Sequence, residues 1–143
     1  MIFYRIGNFL HSCKVPLLPR IFDILIRLFY RSAVFTSTEI GRGTIFAYGG
    51  IAIVIHRRAR IGNNCIIGSC VTIGGKSKSE GVPVIGDGVY IATGAKILGD
   101  IEIGDGCVIG ANAVVTKSVP PHSLVVGIPA KVIKSNIRAS DYY

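Results

Sequence analysis

The stretch PVIGDGVYIATGAKILGDIEIGDGCVIGANAVV, residues Pro83 to Val115, repeats an aliphatic residue at every sixth position: Ile85, Ile91, Ile97, Ile103, Ile109 and Val115. The same phase runs upstream through Ile55, Ile61, Ile67 and Ile73, and only Ser79 breaks it. A glycine usually follows the aliphatic, as at Gly62, Gly68, Gly86, Gly104 and Gly110, and a small or modest side chain stands four positions after it, as at Ala59, Cys65, Ala95, Cys107 and Ala113. A helix needs apolar spacing near 3.6 and an ordinary strand near 2, so a strict period of six fits neither alone. It fits a short strand and a turn, repeated, with the aliphatic entering a narrow core at each step. Three steps close one triangular coil, and stacked coils make an all-β solenoid, a parallel β-helix.

The bulk numbers agree. A chain of 143 residues supplies one core, and 18 glycines beside 50% hydrophobic residues suit short strands joined by tight turns. The net charge of +8 and pI near 9.6 favour an anionic partner such as a phosphorylated small molecule or a membrane surface. Nucleic acid is disfavoured, because the basic residues are not interleaved with an aromatic stacking platform. The four cysteines show no metal-ligand spacing, so no metal is expected. The apolar run from Pro16 to Phe35 is interrupted by Arg20, Asp23, Arg27 and Arg31 and makes a poor spanning helix. A cytoplasmic protein with reduced thiols is expected.

Departures from a monotonous repeat are where a site is built. Between Phe46 and Ile55 the spacing is nine, so three extra residues bulge out around AYGGIA, where Gly49 and Gly50 permit positive φ. The second departure, GGKSKSEGVP at Gly74 to Pro83, is polar and is expected to leave the coil as a loop and return at Ile85. His56 follows the inward Ile55 and is expected to face outward beside the bulge. Its competitors are His11, in the N-terminal helical segment, and His122, in the turn VPPHS. A near-neutral imidazole takes a hydroxyl proton at physiological pH, which makes His56 the candidate general base.

The repeat resembles that of the hexapeptide-repeat acyltransferases from about Thr38 to Lys134. The order of VTIGGK, the Pro83–Val115 stretch and VPPHSLVVGIPAKVI is similar to the serine acetyltransferase branch, most closely to its short members found with capsule and polysaccharide enzymes. The resemblance implies a left-handed β-helix, a homotrimer and acetyl-CoA as co-substrate. It places Gly74, Gly75 and Lys76 beside the pantetheine and Thr93 and Ala111 along the same groove. Lys117 of VVTK and Lys131 of GIPAK become candidates for the CoA phosphates, with a solvated solenoid edge as the competing reading.

In that branch an Asp-His pair in the bulge supplies the base, and the matching residues here are Ala47 and Tyr48. The Asp that orients the base matches Ala33, and an Arg-His pair implicated in gripping the serine carboxylate matches Gly81 and Val82. These departures point to a base moved to His56 and an acceptor without a carboxylate. The expected reaction is therefore O-acetylation of a carbohydrate hydroxyl, with Tyr48 and Glu80 on the acceptor side and Glu39 or Glu80 orienting His56. Serine O-acetyltransfer and a non-catalytic β-helix scaffold are the alternatives.

Residues 1–36 are expected to form two short helices that cap the solenoid, with contact to the inner face of a membrane as the bolder reading. Residues 37–134 are expected to form the β-helix domain and residues 135–143 a C-terminal tail, with Ala130 to Ile137 closing the end as an extended strand or short helix and Arg138 to Tyr143 frayed.

Overall fold

The computed structural model describes residues 1–77 and 80–143. Ser79, the one break in the period, lies outside the described residues.

Two helices precede the solenoid, α1 (Ile2–Ser12) and α2 (Leu18–Tyr30), parted at Pro16, where the ring removes a helix donor. The first coil is β1 (Ala33–Val34), β2 (Glu39–Ile40) and β3 (Ile45–Phe46), so the solenoid already starts at Ala33. The second is β4 (Val54–Ile55), β5 (Arg60–Ile61) and β6 (Ile66–Ile67), and the third β7 (Thr72–Gly74), β8 (Val84–Ile85) and β9 (Tyr90–Ile91). The fourth is β10 (Lys96–Leu98), β11 (Glu102–Ile103) and β12 (Val108–Ile109). A closing turn has β13 (Val114–Val115), a single bridge at Val119 and β14 (Leu124–Gly127), and β15 (Ala130–Lys134) folds back antiparallel on β14.

Corresponding strands stack in parallel into three sheets: A (β1-β4-β7-β10-β13), B (β2-β5-β8-β11) and C (β3-β6-β9-β12-β14-β15). The architecture is a left-handed parallel β-helix. The period-six aliphatics form one inward column per sheet. On sheet A the column is Val34, Ile55, Ile73, Ile97 and Val115, all buried. The small residues four positions on, among them Ala59, Cys65, Ala95, Cys107 and Ala113, fill the corners. Each fully buried isoleucine contributes about 2–3 kcal/mol of transfer free energy, which is why the strict period survives. The glycine after an aliphatic has a steric cause: a Cβ on Gly62 would meet the Gly86 carbonyl of the next coil at 2.5 Å.

The open lower end is closed by α1. Arg5 donates from Nη1 to the Ile40 carbonyl at 3.0 Å and from Nη2 to those of Gly41 and Thr44 at 2.8 and 3.1 Å, while Tyr4 donates its hydroxyl to the Thr38 carbonyl at 2.6 Å. First-coil carbonyls with no coil beneath them thus find partners, which buried backbone requires. Burial pushes the Tyr4 phenol up to about 12.

The tail is not frayed. Residues Ala139–Tyr142 form a single 3-10 turn, and Ala139 packs with Val108 and Leu124 on the outer face of sheet C. The Tyr143 ring lies 5.3 Å from that of Tyr90, and the Ile137 N–H donates to the His122 carbonyl at 3.0 Å. Outward side chains of sheet C are apolar at this end, and covering them outweighs fraying.

Candidate active site

Every strand of sheet A runs from one edge of the prism, where the chain arrives from sheet C, to another, where it leaves for sheet B. The two sequence departures fall on different edges. AYGGIA lies on the C–A edge between the first and second coils, and the Gly74–Pro83 loop lies on the A–B edge of the third.

On the C–A edge, residues Ala47–Gly50 form a short 3-10 segment with Tyr48, Gly49 and Gly50 at φ of 52°, 73° and 81°. The glycines take that conformation freely, but Tyr48 pays a steric penalty and presents a side chain that is 75% exposed. Ser32 pins the segment, donating its hydroxyl to the Gly50 carbonyl at 2.6 Å and accepting the Ile53 N–H at 2.9 Å. The same edge carries Thr93, whose hydroxyl is 3.5 Å from that of Ser69, and the exposed Ala111.

His56 stands on the A–B edge, immediately after β4. It is therefore separated from the bulge by the width of sheet A, and its true neighbour is the second loop. Its backbone N–H donates to the Ile73 carbonyl at 2.8 Å, seating it in register with Gly74. Its Nδ1 accepts the backbone N–H of Arg58 at 3.2 Å. A neutral ring in that arrangement carries its proton on Nε2. Arg58 reaches up and donates from Nη2 to the Glu80 carbonyl at 2.7 Å, tying the loop to the coil beneath. Glu80 thus meets the His56 neighbourhood through its backbone. Glu39 is committed elsewhere, its carboxylate 3.0 Å from Arg60 Nε on sheet B.

Arg57 stands next to His56 in sequence, and its contact with Phe35 is what the sequence did not reveal. Its guanidinium lies 4.8 Å from the centre of the Phe35 ring, directly below His56 on the same edge. A hollow of about 340 Å³ opens there, lined by Arg57, Phe35, Arg20, Asp23 and His11. The paired arginines after VIH and the aromatic one coil earlier were the available signal. Asp23 is one carboxylate against two arginines in this hollow, and its Oδ1 accepts the Thr36 N–H at 2.7 Å. His122 is an exposed turn residue at φ 53°.

Above His56 the A–B edge continues through Gly74, Gly75 and Lys76 and reaches Lys117 on the closing turn. A Cβ built on Gly74 would meet nothing within 4 Å, so the backbone here borders open space that a ligand can fill. Lys117 and Lys131 line one cleft of about 310 Å³ beneath the β14–β15 hairpin. His56 and Lys117 are three strand spacings apart, about 14 Å. An extended pantetheine arm is of comparable length. Another hollow, about 590 Å³, lies on sheet B between Glu102, Asp105 and Pro121, and its carboxylates suit an anion poorly. Burial pushes the Cys65 and Cys107 thiols up, which leaves them core residues and not nucleophiles.

Residues 83–117 match the family described as bacterial transferase hexapeptide (six repeats). Over that stretch the chain carries the repeat of the hexapeptide-repeat transferases. It is 42% identical over 137 residues to the serine acetyltransferase of Staphylococcus xylosus, an alignment covering 94% of this chain and 63% of that protein. Among solved structures, a serine acetyltransferase in complex with CoA superposes with a TM-score of 0.81 at 33% identity, over 92% of this chain and 54% of the other. The serine acetyltransferase of Vibrio cholerae does so with a TM-score of 0.84 at 36% identity, over 93% and 52%. This hexapeptide-repeat chain thus spans a little over half to nearly two thirds of the length of these relatives.

The comparisons correct the carbohydrate reading. These homologues are serine acetyltransferases, and a closeness to capsule or polysaccharide enzymes is not supported. A carboxylate-bearing acceptor such as serine needs a cationic partner, and Arg57, next to the edge histidine, is a cation of that kind.

Proposed function

We propose that the chain transfers the acetyl group of acetyl-CoA to the hydroxyl of serine, as a homotrimer in the cytoplasm. The observation that carries this reading is the A–B edge, which runs from His56 past Gly74 and Gly75 to the Lys117–Lys131 cleft. The serine acetyltransferase relatives supply the reaction class.

Lys117 and Lys131 would hold the CoA phosphates, and Gly74, Gly75 and Lys76 would border the pantetheine. When bound, acetyl-CoA supplies an acetyl thioester whose CoA leaves as a thiol. His56 takes the serine hydroxyl proton as the new C–O bond forms and returns a proton to the departing sulfur as the C–S bond breaks. To do so the ring gives up the Arg58 N–H at Nδ1, a bond worth about 1 kcal/mol. General base catalysis contributes about 10²- to 10⁴-fold, roughly 3–5 kcal/mol, so the exchange is favourable. Arg57, held against Phe35, is the partner assigned to the serine carboxylate.

One protomer holds Tyr48, Thr93 and Ala111 on a different edge from His56. Packing three solenoids side by side brings the C–A edge of one against the A–B edge of the next, and the site is then shared between protomers.

The test is release of free CoA thiol from acetyl-CoA with L-serine. Serine-dependent release, with an Arg57→Gln variant raising the KM for serine well above that for acetyl-CoA, supports the proposal. Thiol release that does not depend on serine would overturn it.

A further inference from the structure

The cap uses one face of each helix and leaves the other uncovered. On α1 the buried face is Tyr4 and Gly7, and the opposite face is Ile2, Ile6 and Phe9, without a charge among them. On α2 the buried positions are Pro19 and Ile26, and the outer face is Ile21, Ile24 and Leu28. Phe9 is 68% exposed and Leu28 64%. Buried side chains of the cap already account for its structural duty, so this outer apolar surface has no role in closing the solenoid.

Its charge pattern identifies the occupant. Arg20, Arg27 and Arg31 are exposed, and they recur along one flank of the α2 apolar stripe at intervals of seven and four residues, with the Arg27 guanidinium 5.9 Å from the centre of the Phe35 ring. Lys14 stands exposed between the helices. The one acid in residues 1–31, Asp23, is engaged by the Thr36 N–H. A second copy of this surface would bring cation rows against each other. An anionic lipid headgroup layer complements them, and its acyl boundary accepts the isoleucines and Phe9. Among the described residues no helix is long and apolar enough to cross a membrane, so the proposed contact is with the surface.

We infer that the α1–α2 hairpin docks the protein on an anionic membrane surface, with the solenoid axis pointing away from the bilayer. The inference goes beyond acetyl transfer and is read out by vesicle binding without it, although Arg20 also lines the hollow beside Arg57. A trimer with parallel solenoids would present three hairpins at one pole, and avidity would strengthen a weak single contact.

The experiment is co-sedimentation of the intact protein with vesicles of phosphatidylcholine alone or with about one third phosphatidylserine. Binding to the anionic vesicles, weakened by raised salt, is expected. The double variant Phe9→Ser/Leu28→Ser and the triple variant Arg20→Gln/Arg27→Gln/Arg31→Gln should each lower partitioning about tenfold or more. Ile133→Ser, at the opposite pole, should leave it unchanged. All these side chains are exposed, and unchanged circular dichroism shows that the variants fold. Absence of binding to anionic vesicles overturns the inference, as does binding that the hairpin variants leave intact. A larger assembly that Phe9→Ser/Leu28→Ser splits into trimers, without vesicle binding, overturns it in favour of pairing between copies.

Discussion

Arg58 joins the two functional segments of the A–B edge: its Nη2 donates to the Glu80 carbonyl at 2.7 Å while its backbone N–H donates to His56 Nδ1 at 3.2 Å. One residue therefore sets both the loop above the site and the resting tautomer of the candidate base. The two bonds separate experimentally, because substitution of the side chain removes only the first. Arg58→Ala should raise the KM for serine about 3- to 10-fold with kcat changed less, and should quicken proteolytic nicking between Gly75 and Val82. Global stability should fall by less than about 1 kcal/mol, measured by urea denaturation, since the side chain is at the surface.

His56→Ala should lower kcat by about 10²- to 10⁴-fold while leaving the affinity for CoA nearly intact. Isothermal titration with CoA and steady-state kinetics separate the two quantities. Activity within a few-fold of the unmodified protein would show that another group takes the proton.

Lys117 and Lys131 sit in one cleft at the far end of the same edge. Lys117→Met and Lys131→Met should each raise the KM for acetyl-CoA about 3- to 10-fold without lowering kcat, the scale of exposed charge contacts. Repeating the assay with the donor lacking the 3′-phosphate should abolish the effect for the lysine that meets that group. Equal KM values for both variants and the unmodified protein would place the phosphates elsewhere.

The thiols should divide into two classes. Cys13 and Cys70 are exposed, whereas Cys65 and Cys107 are buried, with their thiols pushed up by that burial. A thiol reagent at neutral pH should label the first pair in the native protein, and the second pair only on unfolding. Native labelling of all four within minutes would contradict the tight corners of the coil.

How far the sequence speaks varies from residue to residue. The inward column on sheet A, the small corner residues Ala59 and Cys65, and the positive φ of Gly49 and Gly50 were all legible, because each follows from a local period or a local steric rule. The partners of His56 were not. His56 and Tyr48 are eight positions apart in sequence and looked like neighbours, but a full strand of sheet A lies between them. The tail carries no period, so nothing local indicated that Ala139 would settle on Val108 and Leu124.

The sequence by itself determined the coil, because a six-residue period allows only one set of side chains to enter a core of fixed width. Tertiary structure decided which edge each outward residue occupies, and so which of them meet. Arg57 reaches Phe35 across 22 residues of chain, and Arg58 reaches Glu80 across another 22. Outward positions bury nothing within their own repeat, so their contacts are set by the coils stacked above and below.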